Sequence, residues 1–385
     1  MDIDIGIGKS GRRAWGFDDI AIVPSRRTRD PQDIDISWEI DAFSFALPMM
    51  AAAMDSAVSP ATAVAIGHLG GLAVLNLEGL WTRYEDPMPQ LEEIAALPAA
   101  TATRRMQEIY AAPVRPELIG RRIQEMKEGG IVTAASLTPQ RVTEFARLTV
   151  EAGLDMLVIQ GTVVSAQHVS SRTEPLNLRE FIAGFDLPVI VGGCASYSTA
   201  LHLMRTGAVG ILVGVGPGAA CTTRGVLGVG VPQATAIADA AGARIRYLDE
   251  AGRYVHVIAD GGMRTGGDIA KAIACGADAV MLGSPLASAA EAPGRGFHWG
   301  MATFNPVLPR GARVQVGSLG TLEEVLLGPA HENDGRRNLF GALRVAMATT
   351  GYENVKEFQK AEVMVAPALQ TEGKALQRHQ GIGMG

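Results

Sequence analysis

The sequence is poor in the residues that mark several common classes of protein. It has three cysteines, Cys194, Cys221 and Cys275, at no CxxC spacing. An odd count without paired spacing argues against a disulfide framework or a zinc site and fits a reducing compartment. Aromatic residues make up 5% of the chain, too few for base-stacking platforms, and Lys+Arg (34) is outnumbered by Asp+Glu (40), for a formal net charge of −6. The basic footprint of a nucleic-acid-binding protein is therefore missing. No apolar run approaches the ~20 residues that span a bilayer. The opening stretch MDIDIGIGKSGRRAWGFDD has no apolar signal core. The chain reads as soluble and cytoplasmic, with no nucleic-acid or membrane partner.

What is present is core material in short pieces. Hydrophobic residues make up 47% and charged residues 19% of the 385 residues, a normal globular balance. Eight short apolar runs recur: Pro48 to Ala53, Gly71 to Asn76, Ile131 to Ser136, Met156 to Gln160, Pro188 to Gly193, Gly210 to Gly214, Val255 to Gly261 and Ala279 to Ser284. Each is continuous rather than alternating, as expected of parallel strands buried on both faces. Between them lie helical patterns that start near a capping residue and end on glycine, such as TPQRVTEFARLTVEAG and TGGDIAKAIACG. Eight strands alternating with helices predict a single-domain α/β fold, a (β/α)8 TIM barrel, over residues 1–385. Three segments fall outside the repeat: an N-terminal arm (1–45), an excursion after the second strand (about 78–130), and a C-terminal segment (302–385) expected to cap one end.

Chemistry in such a barrel belongs where the strands end. After the sixth run comes Gly214-Val-Gly216-Pro-Gly218-Ala-Ala-Cys221-Thr-Thr223. Glycine at every second position allows tight turning and close backbone approach to a ligand, and the cysteine is a candidate nucleophile. A small buried residue in a tight turn explains Cys221 about as well. The spacing is GxGxG, not a dinucleotide fingerprint. After the seventh run, Asp260 is placed to accept hydrogen bonds from two ribose hydroxyls or to form an Asp-Gly turn. Asp268, in TGGDI, reads as a helix-capping acid. Glycine turns after the seventh and eighth runs, at Gly261-Gly262 and Gly283-Ser284, form the pattern of a barrel phosphate site.

The stretches GVGPGAACTTRGVLGVGVPQATAI, VIADGGMRTGGDIAKAIACGADAVMLGSPLA and HWGMAT, with WGFDDIAIVPS and PMMAAAMDS upstream, resemble the IMP dehydrogenase/GMP reductase family. They are most similar to its dehydrogenase-related branch without a CBS module, since the excursion is far shorter than two CBS modules need. The resemblance implies that Cys221 attacks C2 of the purine with Thr223 beside it. It implies that Asp260 holds the ribose and that Gly262, Gly283 and Ser284 hold the phosphate. Met54, Gly218, His298, Gly300 and Met301 would surround the nucleotide. Gln160, Gly161, Thr162, Gly214 and Gly216 would face the dinucleotide. The carbonyls of Gly216, Gly218 and Cys221 would take a potassium ion. A homotetramer or homo-octamer is also implied.

The departures from the family pattern are specific. Ala51 and Ala219 stand where the family often has serines. His298-Trp299 precede the Gly-Met pair where a tyrosine is usual, and Gln160 stands where many dehydrogenases have an aspartate. No Arg-Tyr pair follows Met301, and Arg310 replaces the Glu or Gln of the Pro-x-Gly loop. The expected reaction is NAD-dependent oxidation of IMP to XMP through a Cys221 thioimidate, with Thr223 and Arg310 as candidates for activating water. The alternatives are NADPH-dependent reduction of GMP and a catalytically weak purine-nucleotide-binding regulator.

Overall fold

The computed structural model describes residues 2–166, 168–169, 175–366 and 373–381. Eight parallel strands close into a barrel. They are β1 (Met49–Ala51), β2 (Leu72–Asn76), β3 (Ala134–Leu137), β4 (Met156–Gln160), β5 (Val189–Cys194), β6 (Gly210–Val213), β7 (His256–Asp260) and β8 (Ala279–Leu282). β8 closes onto β1 through the pairs Val280–Met49 and Leu282–Ala51. All eight expected runs thus hold strands, and the single-domain barrel expectation stands. Alternate residues explain why the runs are apolar throughout. Met50, Leu72, Val74, Met156, Val158, Ile190, Leu212 and Ile258 form one buried cluster. Their neighbours Met49, Ala73, Leu75, Leu157, Ile159, Val191 and Val257 join the larger cluster shared with the helices.

The helices begin with α1 (Pro60–His68), α2 (Met88–Ala96), α3 (Ala99–Tyr110), α4 (Pro116–Glu128), α5 (Val142–Glu151), α6 (Leu178–Ala183) and α7 (Tyr197–Met204). Then come α8 (Thr223–Leu227), α9 (Gln233–Ala251) and α10 (Gly266–Ala274). Local chemistry sets their starts. Ser59, Asn177, Ser196 and Thr265 each accept a backbone N–H from the first turn.

The excursion divides in two. Helix α4 packs between α1 and α5 and so serves as the outer helix between β2 and β3. The α2–α3 pair is the true insertion. Leu91, Ile94, Met106, Ile109 and Tyr110 bury against Leu80 and Trp299 in a separate apolar cluster.

The arm and tail are also placed by packing. A hairpin of Trp38–Ile40 and Phe43–Phe45 inserts Trp38, Ile40 and Phe45 into the barrel cluster. The Trp38 indole N–H donates to His256 Nδ1 at 3.2 Å, so the hairpin plugs the end where the strands begin. Among the described residues of the segment expected to cap one end, the stretch around 302–312 lies at the opposite mouth. Its long helix, Leu339–Thr350, packs on α10 outside the barrel, and Val363–Val365 pairs with Ile20–Ile22. A cap was the expectation because the tail follows the last strand. The apolar face of Leu339, Phe340, Leu343 and Met347 instead extends the outer core. No helix among the described residues is long and apolar enough to cross a membrane.

Candidate active site

A cleft of about 1150 Å³ opens where the strands end, and every candidate residue named above lines it. This is larger than the ~300–1,000 Å³ usual for one small ligand, which leaves room for a second beside it.

Cys221 sits on one wall. Its thiol lies 3.1 Å from the Thr223 hydroxyl, and Thr223 itself is buried at the start of α8. The loop is closed from both sides. The Cys221 N–H donates to Gly218 O at 3.0 Å, and Cys221 pairs with Gly311 in an antiparallel bridge. The Thr222 N–H donates to Arg310 O (3.1 Å), and the Ala312 N–H donates to Ala220 O (2.8 Å). The segment carrying Arg310 is therefore laced to the cysteine loop. Arg310 lines the cleft, and its Nε is buried with no hydrogen-bond partner among the described residues.

Asp260 ends β7 on the floor. Burial pushes its carboxyl up to about 6, and a hydrogen bond from Gln160 Nε2 at 3.2 Å pulls the other way. Its carbonyl accepts from Gln233 Nε2 (3.2 Å), which also donates to Val213 O (2.7 Å). Gly261 and Gly262 follow with φ of 81° and 83°, a left-handed turn that side chains rarely adopt.

Above Gly283 lies the imidazole of His298. Its Nδ1 is 3.0 Å from Ser56 Oγ, and burial pulls it down to about 4, so the ring is neutral near pH 7. Trp299 turns away from the cleft, and its indole N–H donates to Tyr110 (2.8 Å). Tyr110 in turn donates to Asp55 Oδ2 (2.7 Å), which also accepts the Leu80 N–H (2.9 Å). Burial raises the Asp55 carboxyl to about 6 against these hydrogen bonds and the charge of Arg83. Among the described residues Asp55 Oδ1 has no hydrogen-bond partner. Asp268 caps α10 as expected, accepting the N–H groups of Arg264 (3.0 Å) and Thr265 (3.1 Å).

Several residues at the site were not reached from the sequence. Glu78 and Arg83 line the β2 side of the cleft, and Ser56, Gln233 and the Asp55–Tyr110 pair hold its walls. The Asp55-Ser56 step inside PMMAAAMDS was the available signal for two of them. Glu78 and Arg83 lie in the irregular stretch after β2, where no periodicity points.

A closed barrel with a thiol–hydroxyl pair and an anchored carboxylate at the strand ends defines an enzyme-type TIM-barrel site. Comparison with known proteins gives the lineage. Residues 14–306 match the family model described as IMP dehydrogenase / GMP reductase domain. The chain belongs to the IMP dehydrogenase/GMP reductase family of oxidoreductases. It is 50% identical over 373 residues to an uncharacterized oxidoreductase of Mycolicibacterium smegmatis, covering 94% of this chain and 99% of that one. It is 27% identical to an inosine-5′-monophosphate dehydrogenase of Methanocaldococcus jannaschii, covering 94% of each chain. The crystal structure of an IMP dehydrogenase/GMP reductase-like protein from Corynebacterium glutamicum superposes with a TM-score of 0.90 at 47% identity, covering 94% of this chain and 97% of that one.

Proposed function

We propose that the protein oxidises IMP to XMP with NAD, using Cys221 as a covalent nucleophile. The observation that carries this reading is the Cys221–Thr223 pair, 3.1 Å apart, in one cleft with the Asp260 carboxylate. Asp260 accepts the ribose hydroxyls. The turns at Gly262 and Gly283-Ser284 take the phosphate, and Met54, Gly218, His298, Gly300 and Met301 enclose the nucleotide. Binding alone has no use for a thiol beside a buried hydroxyl, which weighs against a purely regulatory role.

In the resting site the thiol donates to Thr223. Once ionised, Cys221 adds to C2 of the purine, and C2 becomes tetrahedral. When bound against Gly161, Thr162, Gly214 and Gly216, the dinucleotide supplies the hydride acceptor for C2. Water then adds to the resulting thioimidate, the C2–S bond breaks, and the thiolate is restored as XMP leaves. Splitting the reaction this way replaces one hard step by two easier ones. Arg310, which lines the cleft beside the cysteine loop, orients the water together with Thr223. Carbonyls of Gly216, Gly218 and Cys221 suit a potassium ion, since carbonyl oxygens can replace a hydration shell. Gly218 O already accepts the Cys221 N–H, so the same turn also closes within the chain.

The test follows the ultraviolet absorbance of reduced nicotinamide with IMP plus NAD, and in parallel with GMP plus NADPH. NADH formation with IMP, abolished in Cys221→Ala while IMP binding persists, is the expected result. NADPH loss with GMP alone would make the protein a GMP reductase. Two flat traces with intact IMP binding would make it a nucleotide-binding regulator. Turnover retained by Cys221→Ala would end the covalent reading.

A further inference from the structure

Gln160 and Asp260 are separated by 100 residues and end strands that are not neighbours in the barrel, since β5 and β6 lie between them. Their side chains nevertheless meet across the mouth at 3.2 Å. The direction of the bond is fixed by chemistry. An ionised carboxylate only accepts, so the Gln160 amide nitrogen must point at it. That nitrogen also donates to Met281 Sδ at 3.7 Å.

We propose that Gln160 is a positioning residue for the nucleotide ribose, not a contact of the dinucleotide: its amide N–H holds Oδ2 of Asp260 in place and leaves Oδ1 to take the ribose diol. This rests on the nucleotide reading given above.

The surroundings of Asp260 support the assignment. β4 brings Gln160, β8 brings Met281, and α9 brings Gln233, which binds the Asp260 backbone carbonyl rather than the carboxylate. The loop after β6 brings the backbone of Gly214 against the Asp260 carbonyl. Among the described residues no charged group acts on the carboxylate: burial opposes its ionisation and Gln160 alone favours it. A diol is recognised by an acceptor, so nucleotide affinity depends on Asp260 being ionised. A carboxamide at 160 supports that state. A carboxylate at the same distance would oppose it, because two acids in contact cannot both ionise easily.

The experiment measures the dissociation constant of IMP, without dinucleotide, from about pH 5 to pH 9 for the wild type, Gln160→Leu and Gln160→Glu. Alongside it, carbon-13 carboxyl NMR follows Asp260 in the ligand-free proteins, assigned by its loss in Asp260→Asn. Wild-type affinity should improve as pH rises through about 6 and then level. In both variants the midpoint should rise by about one unit or more, weakening IMP roughly five- to tenfold near pH 6, with the curve for Gln160→Leu rejoining the wild type at high pH. A lost contact to IMP would instead shift the whole curve at every pH. An unchanged midpoint in both variants, with only the KM for NAD raised, would return Gln160 to the dinucleotide and overturn the proposal. If the wild type binds no purine nucleotide at any pH, the functional reading falls. The ligand-free titration then decides alone: an Asp260 midpoint equal in wild type and Gln160→Leu rejects the role of Gln160, and a raised one upholds it.

Discussion

The ring of Tyr110 lies flat against that of Phe304, with centroids 3.5 Å apart and planes 6° from parallel. The contact joins the last residue of α3, in the insertion after β2, to the segment that follows Gly300-Met301 at the mouth. The same tyrosine hydroxyl accepts from Trp299 and donates to Asp55. One side chain thus pins the turn that carries His298, Gly300 and Met301 to a buried carboxylate and to an inserted helix. The insertion braces the mouth from the side.

Tyr110→Phe keeps the ring stack and removes the hydroxyl. It strands the Trp299 N–H and takes one of two donors from an Asp55 whose Oδ1 already lacks a partner. Leaving buried polar groups unpaired costs ~1–3 kcal/mol each, so urea unfolding should show a loss of about 2–4 kcal/mol. Adding Asp55→Asn should recover part of it, because an amide is cheaper to bury than a carboxylate. A loss in the double variant equal to the sum of the losses in Tyr110→Phe and Asp55→Asn measured singly would mean that the two residues are not coupled.

Two glycines of the cysteine loop should respond differently to a methyl group. A Cβ on Gly214 would stand 2.0 Å from the Asp260 carbonyl oxygen, which is backbone and cannot swing away; a Cβ on Gly218 would meet Cys221 Cβ at 3.8 Å, an ordinary contact. Gly214→Ala should therefore lower stability by ~1–3 kcal/mol or more. It should also displace the floor carboxylate and weaken nucleotide binding. Gly218→Ala should fold with near wild-type stability. Thermal unfolding of the two proteins side by side checks this, and similar losses would contradict it.

The barrel was legible because each strand is buried on both faces and several runs end in glycine or a small polar residue, so eight runs stood out without any tertiary information. The candidate site was legible for a related reason: its residues follow the strands, and the cleft collects them all. What escaped was set by contacts between distant segments. Nothing in the sequence around Gln160 points to Asp260, because their meeting depends on the barrel diameter. Nothing in α3 alone tells that its Tyr110 faces Trp299. The end plug at Trp38 and the outward docking of Leu339–Thr350 are likewise decisions of packing, invisible to local periodicity.

Acid stability should be governed by Asp278, far from the cleft. It is fully buried at the start of β8, where Arg244 Nη1 bonds it at 2.7 Å, with Lys356, the Tyr254 hydroxyl and the Val257 N–H as further partners. Burial works against its ionisation, but the charges of Arg244 and Lys356 prevail and hold it down at about 2. A carboxyl held below its unfolded value stabilises the fold above that value and loses this support as pH falls through the folded one. The loss should run from about pH 4 down to about pH 2 and amount to roughly 2–3 kcal/mol at ~1.4 kcal/mol per unit. His256, pulled down to about 4 by burial, acts in the same direction at higher pH, its support fading from about 6.5 to about 4. Asp278→Asn should unfold more readily at neutral pH, by ~3–5 kcal/mol, because Arg244 is left buried without its counter-charge. It should also lack the steepest part of the acid limb. An acid limb unchanged by the substitution would place the acid-sensitive group elsewhere.

Arg310 offers the sharpest test of how water is activated. Its backbone is fixed at both ends, donating to Ala302 O at 2.9 Å and accepting from Thr222, so removing the side chain should leave the loop in place. A group that activates water acts after hydride transfer, which makes the two steps separable. Arg310→Ala should give a rapid burst of about one NADH per site, followed by turnover slowed by ~10²–10⁴-fold, the usual contribution of a positioned acid or base. Mass spectrometry should then find the nucleotide attached to Cys221. Arg310→Lys restores charge but not the flat guanidinium, and should recover only part of the rate. A variant lacking the burst would show that Arg310 works before or during hydride transfer. A variant with full turnover would leave the water to Thr223, beside the thiol.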